Sequence, residues 1–310
     1  MENNNLNLDK ELFRPVPKDK EEAELIARPS LTFWQDVWMR LKSNPVAIGS
    51  MILLLLLVIM CAVGPYFNKY EFNTMVSKLK DIPPNSEFWF GTDISGRDIF
   101  TRVWVAGRAS LIIGISCAFV STVVGVVYGS IAGFVGGKAD IIMMRIVEIL
   151  SSLPYLLIVI LVQIRLNSRE LWSIVLALTL VSWTGTARLI RAEVLKLKNQ
   201  EFVLAARTLG VSDWQIIKKH LIPNALPVVI VGITFDIPGF IFSESFLSYL
   251  GIGLQAPNTS WGIMASEATQ NLMNHPYQMF FPSLMIALTM LGFTLLGDGL
   301  RDALDPKLRK

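Results

Sequence analysis

Charged side chains are scarce in this sequence: Asp, Glu, Lys and Arg together supply 17% of its 310 residues, whereas 52% are hydrophobic. A soluble domain needs more polar surface than that to cover its core. Cysteine is nearly absent, with only Cys61 and Cys117, both inside apolar blocks. That excludes a disulfide framework and leaves two small buried hydrophobes. Histidine is equally rare, and His220 and His275 fall in different loops, so neither a zinc site nor a histidine-based nucleophile system can be assembled from them. No G-x-x-x-x-G-K-[ST] phosphate loop occurs; the nearest string, Gly136-Gly137-Lys138-Ala139, lacks the leading glycine spacing and the hydroxyl residue. The net charge of +3 is too small and too scattered for nucleic-acid binding. Around Asp93, Ser95, Gly96 and Asp98 the calcium-loop spacing and its distal glutamate are missing, which argues against a metal there. No cleavable signal peptide is expected, because the first apolar run starts near residue 46 behind a charged leader.

What is present is a series of apolar runs long enough to cross a bilayer. Val46–Phe67 carries no charge over 22 residues. Ala109–Phe134, Ile141–Ile164, Leu171–Ile190, Leu226–Leu250 and Met279–Leu296 follow, giving six predicted spans and an all-α integral membrane protein. The chain divides into a polar leader, 1–44, with a short amphipathic helix at about Phe33–Lys42; the first span, 45–67; a polar segment, 68–108; and a membrane core, 109–310, interrupted by a loop at 191–223. Lysine and arginine crowd that loop and the C-terminal tail, and none occurs in 251–278. By the positive-inside rule both termini and the 191–223 loop are cytoplasmic and 68–108 is external, although 68–108 itself carries six basic residues beside five acidic ones.

Within the second span Ser121, Gly125, Gly129 and Gly133 recur every four residues. A stripe of small residues lets another helix approach closely, whether from this chain or from a second subunit. Asp236 and Glu244 flank Pro238-Gly239 in the fifth span, where a lipid-facing carboxylate would cost at least about 2.5–3.5 kcal/mol. They should face protein or water, either lining a translocation path or paired internally with hydroxyls such as Ser243 and Ser245. Proline at 238 suggests a kink. Arg145 and Glu148 suit a local ion pair. Trp34, Trp38, Trp89, Trp104 and Trp261 sit at predicted membrane borders, where indole rings anchor.

The 191–223 loop is longer than a connection requires. Gln200–Leu209 reads as a helix ended by Gly210, and Ser212 with Gln215 reads as a capping box for a second helix that stops before Pro223. Ala205 and Ala206 leave a shallow docking surface. The run A-A-R-T-L-G at 205–210, with Ile222-Pro223 at a fixed interval, resembles the coupling motif of bacterial ATP-binding-cassette (ABC) importer permeases. Ala205, Ala206, Gly210 and Pro223 match in register, while Leu204 stands where that motif has glutamate. Glu201 to Gly210 instead follows the E-x-V-x-A-A-R-x-L-G form of the peptide-transport branch. Phe90 to Leu111 and Glu244 to Gly262 resemble segments of the same oligopeptide/dipeptide permeases.

The resemblance implies a type I importer permease fold in a bacterial cell membrane and a path shared with a second homologous permease subunit. It implies two ATP-binding subunits gripping Glu201, Ala205, Ala206, Gly210, Val211 and Pro223, and an external peptide-binding protein. No cofactor is expected on this chain; ATP and Mg²⁺ belong to the partners, and the chain itself is not an enzyme. Competing readings are a permease of the same fold for nickel or another small solute, an ion-gradient-driven transporter, and a membrane peptidase, for which no nucleophile or ligand cluster is found.

Overall fold

The computed structural model describes residues 32–305. Most of the leader and the basic residues Lys307, Arg309 and Lys310 of the tail lie outside them. The chain is helical, and among the described residues the only β-type pairing is one isolated bridge between Thr92 and Asp98.

Helix α1 (Phe33–Ser43) is amphipathic, as expected. Val37 and Leu41 are buried against Ala47, Ala303 and Leu304, while Trp34, Trp38 and Met39 are exposed. Asn44 then turns the chain: its side-chain oxygen accepts from the Val46 and Ala47 amides at 3.0 and 3.2 Å, and Pro45 occupies the first helical position. Helix α2 (Pro45–Val63) is the first span.

Helix α3 (Ile99–Val135) begins ten residues before the apolar run that announced it. Its start is set by Asp98, whose Oδ2 accepts from the Thr101 amide at 2.8 Å and the Thr101 hydroxyl at 2.6 Å. The amphipathic first turns read as polar in sequence because their charges are buried in a protein-lined end of the bundle.

The partner for the small-residue stripe is α6 (Leu171–Leu197) of the same chain. A methyl group at Gly125 would lie 2.6 Å from Thr186 Cβ, one at Gly129 would strike the Ala187 carbonyl, and one at Gly133 would lie 2.9 Å from the Arg191 carbonyl. The two backbones therefore touch along their length. The Ser121 and Ser182 hydroxyls bond across the same seam at 2.5 Å.

The third apolar run is not one helix. It is α4 (Gly137–Ser152) and α5 (Tyr155–Leu166), bent by 84° at Leu153-Pro154. Proline disfavours helix at the residue before it, and Leu153 is extended, with φ −82° and ψ 139°. The hydroxyl of Ser151 bonds Thr184 Oγ1 at 3.1 Å. Residue 184 is the midpoint of α6, so the break lies beside the middle of that helix. Among the described residues five helices are long and apolar enough to span, and the bent pair, taken as one span, makes six.

The remaining elements are α7 (Glu201–Thr208), α8 (Asp213–Ile216), α9 (Ile222–Tyr249), α10 (Trp261–Ala268) and α11 (Tyr277–Leu304). Helix α9 runs unbroken through Pro227 and Pro238.

Residues 68–98 fold back over the ends of α3, α10 and α11 as a platform. Gly96, at φ +76°, can only be glycine, because a Cβ there would strike the Val76 carbonyl. Tyr277 donates to the Ile82 carbonyl at 3.1 Å, and Gln278 donates to Asp81 Oδ1 at 2.8 Å and the Thr92 carbonyl at 3.0 Å. Two arginines hold the centre. Arg97 pairs with Asp93 at 2.6 Å and Glu267 at 2.7 Å; Arg102 pairs with the same two carboxylates at 2.5 and 2.9 Å. Arg102 is only 3% exposed at its side chain.

Of the five tryptophans expected at membrane borders, two are not anchors. Trp104 and Trp261 are buried, the latter completely, because Gly64 and Gly107 make room for the indoles. Trp261 Nε1 donates to the Val103 carbonyl at 2.8 Å. Trp34, Trp38 and Trp89 are exposed.

Candidate functional site

The opposite end of the bundle carries α7 and α8. Helix α7 ends in a Schellman turn: the Val211 amide donates to the Ala206 carbonyl at 3.1 Å and the Gly210 amide to the Arg207 carbonyl at 2.9 Å. Gly210 has φ +76°, and a Cβ there would meet open space, so backbone conformation alone demands glycine. Val203 and Ala206 turn inward onto a core with Ile190, Val194, Ile216, Ile217 and Leu221. Arg207 stacks over the Phe134 ring with its guanidinium carbon 4.8 Å from the centroid, tying α7 to the end of α3.

The outward face of this turn is apolar. Leu204, Leu209 and Trp214 are 51%, 82% and 58% exposed. Glu201 and Ala205 are exposed too, while Ala206 is 6% exposed. The shallow surface expected from both alanines is therefore supplied by Ala205 alone; Ala206 is the foot on which α7 packs.

Beyond the turn the expectation of a separate capped helix is overturned. Ser212 makes no side-chain cap bond. Helix α8 does not stop before Pro223; it runs through a π-turn at Ile217–Leu221 into α9, with Pro223 in the first turn of α9. Proline lacks an amide hydrogen, and a position near a helix start is where that donor is missed least. The wider π-turn fits the same need. Residues 213–249 thus form one continuous element.

Two ties brace this end. Arg191 grips Asp140 through Nε and Nη2, both at 2.6 Å, linking α6 to α4. Lys198 donates to the Gly133 carbonyl at 2.9 Å. Sequence reasoning missed both, since 51 residues separate the first pair. The Arg145–Glu148 pair is present at 2.7 Å and exposed.

The two carboxylates of α9 have different surroundings. Glu244 is fully buried within the chain, so it lines no open path. Its Oε1 accepts from the Ser248 hydroxyl at 2.8 Å and the Ser260 hydroxyl at 2.6 Å, and Ser110 approaches Oε2 at 3.5 Å. Ser260 and Ser110 each accept a backbone amide from the first turn of α10, from Ile263 and Trp261, both at 3.2 Å. Their hydroxyl hydrogens are thereby directed at Glu244. The carboxylate caps α10 through two hydroxyls, where a helix N-terminus favours negative charge. The serines adjacent in sequence are not its partners: Ser243 donates to the Gly239 carbonyl at 2.8 Å, and Ser245 Oγ has no partner.

Asp236 makes no hydrogen bond or ion pair among the described residues. It opens into a cavity of about 150 Å³ between α3, α6 and α9, lined also by Thr122, Ser182, Thr186 and Gly232.

The sequence that builds this bundle and its apolar, glycine-terminated turn has relatives among transport proteins. Residues 125–310 match the model of the binding-protein-dependent transport system inner membrane component family. The chain belongs to this family. Residues 32–84 of this transport component also match the N-terminal membrane domain of oligopeptide transport permease C. It is similar to the oligopeptide transport system permease protein OppC of Bacillus subtilis, with 45% identity over 98% of this chain and 99% of that protein. The dipeptide transport system permease protein DppC of the same organism is 46% identical over 93% of this chain and 90% of its own. The Haemophilus influenzae OppC is 43% identical over 93% and 92%. As a permease of this family the chain is a multi-pass membrane subunit of an ABC importer.

Proposed function

We propose that this chain forms half of the translocation path of an importer for oligopeptides or dipeptides, and that it is moved by separate ATP-binding subunits. The end bearing α7 and α8, with both termini, faces the cytoplasm; the platform of residues 68–98 faces outward and receives a peptide-binding protein. A second homologous permease subunit completes the path. ATP and Mg²⁺ reside on two ATP-binding partners, and this chain holds no cofactor. The peptide-transport names of the relatives favour this cargo over nickel or another small solute, and an ATP-driven over an ion-gradient mechanism.

The observation that carries the reading is the exposed apolar turn. Leu204, Leu209 and Trp214 project around Gly210 from a segment fixed by Val203 and Ala206 beneath. A monomer gains nothing from leaving three large apolar side chains in water around a rigid turn; a partner groove would. Glu201, Ala205, Gly210, Val211 and Pro223 shape this handle rather than react.

The test uses a single cysteine at Leu209 with a bifunctional crosslinker in native membranes. Cys61 and Cys117 are buried, so labelling reports the new site. Capture of an ATP-binding subunit is the expected outcome. Efficient labelling with no such capture, from either Leu209 or Ala205, would remove the coupling assignment.

A further inference from the structure

The Asp236 cavity has a shape and chemistry that the coupling scheme leaves unused. Residue 236 lies at the middle of α9, and Ser182 and Thr186 straddle the midpoint of α6, so the cavity lies midway along both helices. Its volume of about 150 Å³ far exceeds the roughly 10–15 Å³ that one water needs, so it can hold a hydrated polar group. Gly185 and Leu189 are exposed at its mouth, so it opens on the free face of α6. A Cβ built on Gly185 or Gly232 meets nothing within 4 Å; both glycines leave empty space rather than admit a neighbouring helix. This separates them from Gly125, Gly129 and Gly133, each of which has backbone against it.

Two polar groups at the cavity lack partners, and only the first has surface on it. The Asp236 carboxylate has none, and Thr122 Oγ1, on a residue only 5% exposed, is buried without a hydrogen bond. Thr186 supplies a further hydroxyl that no other residue uses. A lone carboxylate with neutral hydroxyls is a poor site for calcium or magnesium, which take more charged oxygen ligands or keep a water shell. It matches a primary ammonium: one positive charge and three N–H donors facing the two carboxylate oxygens and the Thr186 hydroxyl.

We propose that this cavity is a way-station for a primary ammonium group of the transported peptide, seated on Asp236 with Thr186 as a further acceptor. The proposal rests on the peptide-transport reading above. Ammonium groups come from two sources, the peptide's amino terminus and a lysine side chain, and the carboxylate accepts either. The site holds cargo only in passing, since a permease that bound tightly would stall.

The experiment uses the complete reconstituted importer, with its binding protein saturating, and three probes: trialanine, N-acetyl-trialanine, and N-acetyl-Ala-Lys-Ala. Initial ATP-driven uptake rates are compared as ratios to the acetylated, lysine-free probe, so that assembly and expression cancel. Asp236→Asn should lower the trialanine ratio about tenfold, the scale of one charged hydrogen-bonded contact. A parallel fall for the lysine probe assigns both amine sources to the site; a fall confined to trialanine assigns it to the amino terminus. Gly232→Val, whose Cβ meets nothing within 4 Å and whose methyls intrude on the cavity while Asp236 stays in place, should lower the same ratio. Unchanged ratios in both variants, or equal loss on all three probes, overturn the ammonium site. Failure of the unaltered complex to import any probe would instead sink the transport reading on which it rests.

Discussion

The two ends of the bundle are built on opposite principles. At the platform end polar groups are buried and matched inside the chain: Asp93 and Glu267 close on Arg97 and Arg102, and Glu244 caps α10 through Ser260 and Ser110. At the loop end the chain packs only its inner face, and Leu204, Leu209 and Trp214 are left to water. A surface completed by its own residues can hold shape alone. A surface left incomplete marks where another subunit supplies the missing half.

The contrast is open to direct attack. The largest effect should come from Arg102→Met, which removes one of the two buried guanidinium groups and leaves Asp93 and Glu267 to share Arg97 alone. Breaking one partner of such a pair costs about 3–5 kcal/mol, so the complex should lose most of its thermal stability in detergent. A midpoint close to that of the unaltered protein would show that the network is ornamental. Next, Ser260→Ala removes both a bond to Glu244 and a cap on α10, and should destabilise by about 1–3 kcal/mol in the same assay. A third change moves to the other end. Gly210→Val forces a β-branched residue to φ +76° at a cost of about 1–2 kcal/mol. It should leave membrane insertion intact while ATP hydrolysis continues without uptake, and normal coupled uptake would contradict the handle. Leu209→Ala should change stability by less than about 0.5 kcal/mol yet weaken retention of the ATP-binding subunits during purification. If it instead destabilised the chain as much as Arg102→Met, the two ends would not differ in kind.

The smallest effect concerns pH. Burial pushes the Asp98 carboxyl above its ordinary value, against hydrogen bonds from Thr101 and Asn68 that pull it down. A carboxyl raised on folding contributes most below its unfolded value, and that contribution is lost as pH rises through the unfolded and then the folded value. Asp98→Asn keeps an oxygen for Thr101 and should flatten this acid-side slope, with stability near neutrality within about 1 kcal/mol of the original. A slope unchanged in the variant would assign it to another group.

Much of this was legible in the sequence, and the failures have physical causes. Long uninterrupted apolar runs have few folded solutions in lipid, so the spans could be read directly. The αL glycine after Gln200–Leu209 was visible because glycine at a helix end has a local reason. The break at Leu153-Pro154 was hidden, since proline inside an apolar run is equally compatible with a kink. The six basic residues of 68–108 looked anomalous for an outer segment because Arg97 and Arg102 find Glu267 about 165–170 residues later. The burial of Trp104 and Trp261 depended on absent side chains at Gly64 and Gly107, which no hydropathy window records. Asp236 and Glu244 were found as a pair, but only the fold separates the enclosed one from the open one.

The π-turn at Ile217–Leu221 has a consequence for how force travels. Because it joins α8 to α9 without a loop, Trp214 and Asp236 ride on one rod, separated by 22 residues and so by about 33 Å of helix rise. A hinge would absorb a push within the first few residues. A rod returns it as tilt, so whatever seizes Trp214 steers the wall of the Asp236 cavity in the same stroke.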